Sequence, residues 1–226
     1  MQESKVQCIG IILDGNRRWA KKHGMPKLLG HHEGRVTLEN AVRWVRERGI
    51  PNLVVFMFST ENWKREKEEV DYLMELFRES VKEDIAELAK EGVRVRYIGQ
   101  RERFAKDLQE VMDKAERDTE HNTAITLWCC LSYGSRAEIT EAAKSLAASG
   151  EEITEETLRS HFWSAEMPDP DIIIRTGGEQ RLSNFLLWQA AYSELFFIDE
   201  YWPDFSEKLL DQILEEYAAR ERRHGK

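Results

Sequence analysis

Short apolar runs rich in Val, Ile, Leu and Phe alternate along this chain with longer stretches in which apolar residues recur every three or four positions. That alternation predicts a largely parallel sheet covered by helices. Strands are expected at residues 6–13, 53–58, 93–98, 123–131, 171–174 and 195–198. Residues 53–58 are apolar throughout, as suits a strand covered on both faces, whereas 93–98 interleave apolar positions with Arg94 and Arg96. Leu38, Val42 and Val45 make a helical stripe that stops at Gly49, with Pro51 beyond. Val70, Leu73, Met74, Phe77, Val81, Ile85 and Leu88 form the longest stripe, read as one helix ending near Gly92. A further helix carries Phe104, Leu108, Val111 and Met112, and the last one turns Leu209, Leu210, Ile213, Leu214 and Tyr217 inward. The spacing of Ser135 and Glu138 reads as a capping box, and Thr154 as the start of a shorter helix. The expected fold is α/β: a single domain over 1–226, with about six mostly parallel strands under helices. A chain of 226 residues suits one large core better than two.

In such sheets ligands bind beyond the carboxyl ends of the strands. Three of those ends carry arginine beside Gly, Asn or Ser: Leu13-Asp14-Gly15-Asn16-Arg17-Arg18-Trp19, Ser59-Thr60-Glu61-Asn62-Trp63-Lys64-Arg65, and Ile174-Arg175-Thr176-Gly177-Gly178-Glu179-Gln180-Arg181-Leu182-Ser183-Asn184. The fold therefore puts all three on a common edge. The chain as a whole is acidic, with 42 Asp plus Glu against 33 Lys plus Arg and a net charge of -9. Nucleic acid is a poor partner for such a surface. Local arginines on an acidic background suit small anions, and the planar guanidinium fork matches phosphate oxygens, so diphosphate is the natural ligand.

Other classes recede. No apolar run is long enough to cross a bilayer, and residues 1–5 lack the layout of a signal peptide. Cys8, Cys129 and Cys130 are odd in number, two of them adjacent, which speaks against disulfides and zinc and for core thiols in a cytoplasmic protein. Neither GxGxxG nor a P-loop sequence occurs, which disfavours a nucleotide site.

Asp14 has two readings: the cap of a strand-to-helix turn, or a ligand for Mg²⁺ bridging to phosphate oxygens, since Mg²⁺ takes one or two carboxylates plus phosphates. Glu194 is the second candidate carboxylate. Arg175, Arg181 and Ser183 can converge on one phosphate, Trp63 and Arg65 can cover a ligand, and His31 is a phosphate contact rather than half of a metal site with His32. His121, His161 and His224 are expected in solvent.

At these residues the chain resembles the cis-prenyltransferase family, with signatures at 14–20, 30–31, 58–63, 171–179, 181–189 and 202–205 in collinear order. The resemblance implies condensation of isopentenyl diphosphate onto an allylic diphosphate, with farnesyl diphosphate as primer, along an apolar product tunnel. It implies that Asp14 holds Mg²⁺ and assists departure of the allylic diphosphate, which Gly15, Asn16, Arg17, Arg18 and His31 cradle, with Trp19 beside them. Arg175, Arg181, Leu182 and Ser183 would bind isopentenyl diphosphate, and Glu194 would contact the metal. Ser59, Thr60, Glu61, Asn62, Trp63 and Arg65 would shape the reacting junction. The family assigns proton removal to the position of Asn62. A carboxamide is a very weak base, so Asn62 is expected to orient a water or a diphosphate oxygen. The ending Arg223-His224-Gly225 matches a family tail that reaches the partner's substrate site, which implies a homodimer using Arg223 and Gly225. A cytoplasmic location follows, with peripheral association at the inner membrane face as the product partitions into lipid.

The chain departs from the family pattern at three places. Lys27 replaces a diphosphate-binding arginine, keeping charge and losing the fork. Residues 132–136 read Ser-Tyr-Gly-Ser-Arg in place of Asn-Tyr-Gly-Gly-Arg. Trp128 is bulky for a strand that in this family runs along the tunnel. If its face lined the tunnel the product would be shortened; packing beneath a helix is the preferred reading, with a product of undecaprenyl length.

Overall fold

The computed structural model describes residues 6–220. The expectations for Arg223, Gly225 and His224 lie outside them. In chain order the elements are β1 (Cys8–Ile12), α1 (Asn16–Lys22), α2 (Leu29–Glu47), β2 (Asn52–Ser59), a 3-10 turn (Thr60–Lys64), α3 (Lys67–Lys82), α4 (Asp84–Lys90), β3 (Val93–Ile98), α5 (Lys106–Thr119), β4 (Ile125–Tyr133), α6 (Ser135–Ser149), α7 (Glu155–Ser160), β5 (Ile172–Arg175), β6 (Glu194–Phe197) and α8 (Glu207–Ala219). Each expected strand is present within one or two residues of its ends. The six strands form one sheet in the order β3-β4-β2-β1-β5-β6, and every neighbouring pair is parallel.

Strand alternation splits the core into two layers. Ile9, Ile11, Leu53, Val55, Leu127 and Cys129 face the larger one, filled by α2, α3, α4, α5 and α8. Cys8, Ile12, Val54, Trp128 and Cys130 face the smaller one, closed by Met167, Phe185 and Leu186. The three cysteines are free and buried. Trp128 thus belongs to the smaller core, where its indole N–H donates to Asn52 Oδ1 at 3.0 Å.

The parallel arrangement brings Ile12, Ser59 and Arg175, the last residues of β1, β2 and β5, to one edge. Chain connections leave β1 and β5 in opposite senses across the sheet, which opens a crevice between their carboxyl ends. Gly34 lets α2 close on that crevice: a Cβ there would lie 2.5 Å from Asn16 Oδ1 and 2.9 Å from Trp202.

Two local expectations are corrected. The longest stripe is two helices, because α3 ends at Lys82 and α4 begins at Asp84, with the Arg35 fork bonded across the break to Glu79, Glu83 and Asp84. Ser135 and Glu138 are not a capping box: Gly134 is the cap, Ser135 Oγ accepts from the Leu187 amide, and Glu138 is fully buried. Its carboxylate accepts from Tyr133 Oη at 2.6 Å, Ser164 Oγ at 2.7 Å and Gln189 Nε2 at 3.0 Å, so tertiary donors outcompete the local amide. Thr154 does cap α7, accepting from the Thr157 amide.

Candidate active site

Beyond β1 the chain turns at Gly15, whose φ of 107° is left-handed. Tyr201 packs so closely that a Cβ there would lie 2.6 Å from its ring. The turn presents Asp14 to the end of β5. Arg175 Nη2 donates to Asp14 Oδ2 at 2.8 Å, Arg18 Nη2 lies 3.1 Å from Oδ1, and Thr176 Oγ1 accepts from the Asp14 amide at 3.0 Å. Arg175 is 4% exposed and also donates through Nη1 to Ser183 Oγ at 2.8 Å and to the Arg181 carbonyl.

Ser183, Asn184 and Leu186 all take positive φ (50°, 69° and 46°), a cluster of strained backbone of the kind that functional sites retain. The loop is held because Asn184 Nδ2 donates to Glu61 Oε1 at 3.2 Å while its Oδ1 accepts from the Arg136 amide. After β2, the Ser59 amide donates to Asn62 Oδ1 at 3.0 Å, which leaves the Asn62 Nδ2 donor. Burial pushes the Glu61 carboxyl up, but hydrogen bonds from its own amide, Ser59, Thr60 and Asn184 outweigh that and hold it below the usual carboxylate range.

A second cationic group surrounds Glu69 of α3, a carboxylate 2% exposed. Arg65 Nη1 donates to it at 3.0 Å, and Lys27 Nζ, His31 Nε2 and Arg17 Nη1 stand 3.6, 3.6 and 3.7 Å away. Lys27 also pairs with Glu66. Burial, with Arg65 and Arg17 beside it, lowers the His31 pKa to about 4, against the pull of Glu69. His31 is therefore neutral near pH 7.

These groups line one cleft of about 590 Å³, polar around Asp14, Asn16, His31, Ser59, Glu61, Asn62, Arg65, Arg175 and Ser183, apolar along Leu38, Phe56, Met57, Leu73, Leu76 and Phe77. A polar shelf of about 750 Å³ adjoins it, carrying Gly15, Arg17, Arg18 and Lys27. Six buried side-chain polar atoms among the described residues lack a partner; three of them, Asn16 Oδ1, His31 Nε2 and Arg175 Nε, belong to residues of the cleft. Unpaired buried polar atoms are costly, which marks this cleft as built for a polar ligand. An anionic head could accept from the free Arg175 Nε–H, Asn16 Oδ1 could accept from a water or another ligand donor, and a hydrocarbon tail could lie in the apolar trough.

Several expected residues stand elsewhere. Trp19 turns its indole N–H to Asp204 at 2.7 Å and stacks on His23. Trp63 donates to Ser132 Oγ and packs edge-on against Phe58, so it supports the junction from behind rather than covering a ligand. Thr60 backs onto Gly134, and Leu182 packs on the smaller core. Arg181 is mostly exposed and pairs with Glu179, so only its carbonyl joins Arg175 and Ser183. His161 is partly enclosed against Ser145, unlike exposed His121.

Glu194 is not brought to Asp14 within one chain. It begins β6 in register with Ile172 and thereby Ile9, five positions before Asp14 on parallel strands, about 16 Å back at 3.3 Å per residue. There it accepts from Arg220 Nη1 at 2.7 Å. No group of three or more His, Cys, Asp or Glu that could hold a metal ion occurs among the described residues. The half-open Asp14 carboxylate at the meeting of the cationic groups still fits a Mg²⁺ ion carried in on phosphate oxygens, for which one protein carboxylate suffices.

Glu69 is a site residue not singled out from the sequence, whereas Thr176 and Asn184 stand in the third arginine-bearing loop without a role of their own there. Glu69 had a signal: it falls in phase with Leu73, Leu76 and Ser80 on the buried side of α3, where a lone acid requires partners.

Comparison with known proteins agrees with this geometry. Residues 12–225, which carry every element of the cleft, match the family model described as "Putative undecaprenyl diphosphate synthase". An isoprenyl transferase of Agrobacterium fabrum is 47% identical over 99% of this chain and 94% of its own. One from Thermotoga maritima is 46% identical over 97% and 96%. Among solved structures, lavandulyl diphosphate synthase from Lavandula x intermedia in complex with dimethylallyl diphosphate superposes with a TM-score of 0.95 at 33% identity, covering 98% of this chain and 99% of that one. A probable undecaprenyl diphosphate synthase from Campylobacter jejuni gives 0.85 at 33% identity, covering 99% and 100%. A cleft with paired cationic groups and an apolar trough, in a chain alike from end to end, has one explanation: this protein belongs to the undecaprenyl diphosphate synthase family and is a prenyltransferase.

Proposed function

We propose that the protein condenses isopentenyl diphosphate units onto an allylic diphosphate, farnesyl diphosphate being the expected primer. Each addition would form a Z double bond, giving a Z-polyprenyl diphosphate such as undecaprenyl diphosphate, precursor of a lipid carrier for cell-wall or glycan synthesis. The observation that carries this reading is Asp14 held between Arg18 and Arg175 at the mouth of an apolar trough. The dimethylallyl diphosphate in the lavandulyl diphosphate synthase structure supports an allylic ligand.

In the reaction the allylic C–O bond breaks, a C–C bond forms to isopentenyl diphosphate, and one proton leaves the new unit. Arg17, Arg18, Asn16 and His31 hold the departing diphosphate, and Arg175 with Ser183 holds the other head. Asp14 would hold Mg²⁺, which stabilises charge on the leaving diphosphate when bound. With its Oδ1 engaged by Ser59, Asn62 orients the proton acceptor through Nδ2 and is not itself the base. The apolar walls keep water from the cationic carbon.

The working form is proposed as a cytoplasmic homodimer in which Arg223 and Gly225 reach the partner's site, with peripheral association where product enters the inner membrane face. No helix of the described residues is long and apolar enough to cross a membrane. Incubation with farnesyl diphosphate, labelled isopentenyl diphosphate and Mg²⁺ should give butanol-extractable product. Absence of product with farnesyl, geranyl and geranylgeranyl diphosphate alike would sink the reading.

A further inference from the structure

Arg35, one helical turn beyond His31 on α2 and on the wall of the cleft, has no part in the chemistry described above. Its stem borders the cleft and its guanidinium reaches the α3–α4 break: Nε and Nη2 donate to Asp84 at 2.5 and 2.6 Å, Nη2 to Glu83 at 2.8 Å and Nη1 to Glu79 at 3.2 Å. Arg35 and Asp84 are nearly enclosed, with side chains 14% and 9% exposed. A charged clamp facing an apolar trough needs a reason, because an apolar wall would be simpler to build there.

The trough has a second compartment. Arg35, Leu38, Met57, Phe77 and Ser80 border both the open cleft and a deeper space that ends against Leu88 and Leu127. The cleft has about 590 Å³, the deeper space about 20 Å³, one water's worth. Arg35 is one of the five residues that the two spaces share, and Asp84, to which it is bonded, lines the deeper one. A hydrocarbon tail that reaches it meets a side chain fixed by four hydrogen bonds. It can go on only by pulling a paired, mostly buried charge off its partners, and the tail offers nothing in return. Apolar side chains at the same place could rotate aside; a bidentate guanidinium on Asp84 is held in one geometry.

We propose that Arg35, clamped by Asp84, is the stop that limits how far the polyprenyl chain can grow. The inference rests on the chain-elongation reading and adds to it the residue that sets product length. Elongation ends when the tail meets the clamp, and the residues below it, Leu88 among them, do not measure the chain.

The test is the ladder of dephosphorylated products made from farnesyl diphosphate and labelled isopentenyl diphosphate, resolved by reversed-phase thin-layer chromatography. Arg35→Ala combined with Asp84→Ala removes both charges together and should raise the longest product by one or more five-carbon units. Arg35→Lys, which keeps the charge and loses the bidentate clamp, should give a smaller rise. Leu88→Ala, below the stop, should leave the longest product where it is. An unchanged or shortened ladder in whichever Arg35 variants fold would overturn the proposal, and so would lengthening by Leu88→Ala alone. If the unaltered protein makes no product with any primer, the elongation reading has failed, and that outcome is distinct from a ladder that is made but does not move.

Discussion

Arg17, Lys27 and Arg65, with neutral His31, converge on the buried carboxylate of Glu69, which stands in the protein where an anionic head would otherwise be needed to balance them. Glu69→Gln keeps size and hydrogen bonding and drops the charge, so the cations repel. The variant should melt lower than the wild type, and inorganic diphosphate should raise its melting temperature more than it raises the wild type's; an equal rise would show that Glu69 is not the internal counter-ion. His31 adds a pH signature. Its folded pKa of about 4 lies below the unfolded value of 6.5, so the unfolded chain takes up the proton first. The His31 contribution is complete above pH 6.5, is lost as pH falls toward 4, and amounts to on the order of 3 kcal/mol. Denaturant melts of the wild type and His31→Gln across that range should show a shallower slope in the variant. Asp14→Ala should lower turnover ~10²-fold or more, with the fold kept because Arg175 retains Ser183 and the Arg181 carbonyl. A near-normal rate at saturating Mg²⁺ would remove Asp14 from its role. Asp14 and Arg175, charged groups where strands end, stand in the cleft as their places in the sequence suggested, and His31 and Ser183 join them there from α2 and from the loop after β5. The side chains of Trp19, Trp63 and Arg181 turn to Asp204, Ser132 and Glu179, which the motifs did not show, because a motif says which residues are near and only packing says which way each side chain turns.

Trp128 shows what alternation within one strand decides. β4 gives Leu127, Cys129 and Leu131 to the layer that holds the cleft and Trp128 and Cys130 to the other, a division fixed by register with β2 and β3. Trp128→Ala should therefore destabilise the fold by ~3–5 kcal/mol and leave the product ladder unchanged; a longer product would put the indole in the trough after all. Strand positions were readable because a parallel strand buried on both faces, such as β2, is mostly apolar, and one covered on a single face, such as β3 with Arg94 and Arg96, alternates. The α3–α4 break was not, because the apolar phase runs on through it and the Arg35 fork that spans it arrives from α2. The Ser135–Glu138 spacing was equally silent about Tyr133, Ser164 and Gln189, whose donors reach Glu138 from both sides in sequence.

At the scale of the whole molecule the all-parallel sheet explains why three arginine-bearing loops meet: one direction for every strand puts every carboxyl end on one edge. The same rule sends Glu194 to the opposite edge, something its place just before a strand already implied. Arg220 holds Glu194 there and lies over the Phe196 ring at 4.0 Å, so Arg220→Ala should lower the melting temperature. The strand order has a further consequence, for the ribosome rather than the active site. β1 is made first and lies in the middle, with β2 on one side and β5 on the other. β2 can join it as it emerges, and β3 is taken in once β4 has been made to lie between them, but the flank that β5 covers waits until residue 175 has been synthesised. Through that interval Ile9 and Ile11 sit on a strand with a bare row of amides and carbonyls, a template for the wrong partner. A chain halted before β5 would carry that flank permanently, and nascent polypeptides of this length should be clients of chaperones until the fifth strand closes the gap.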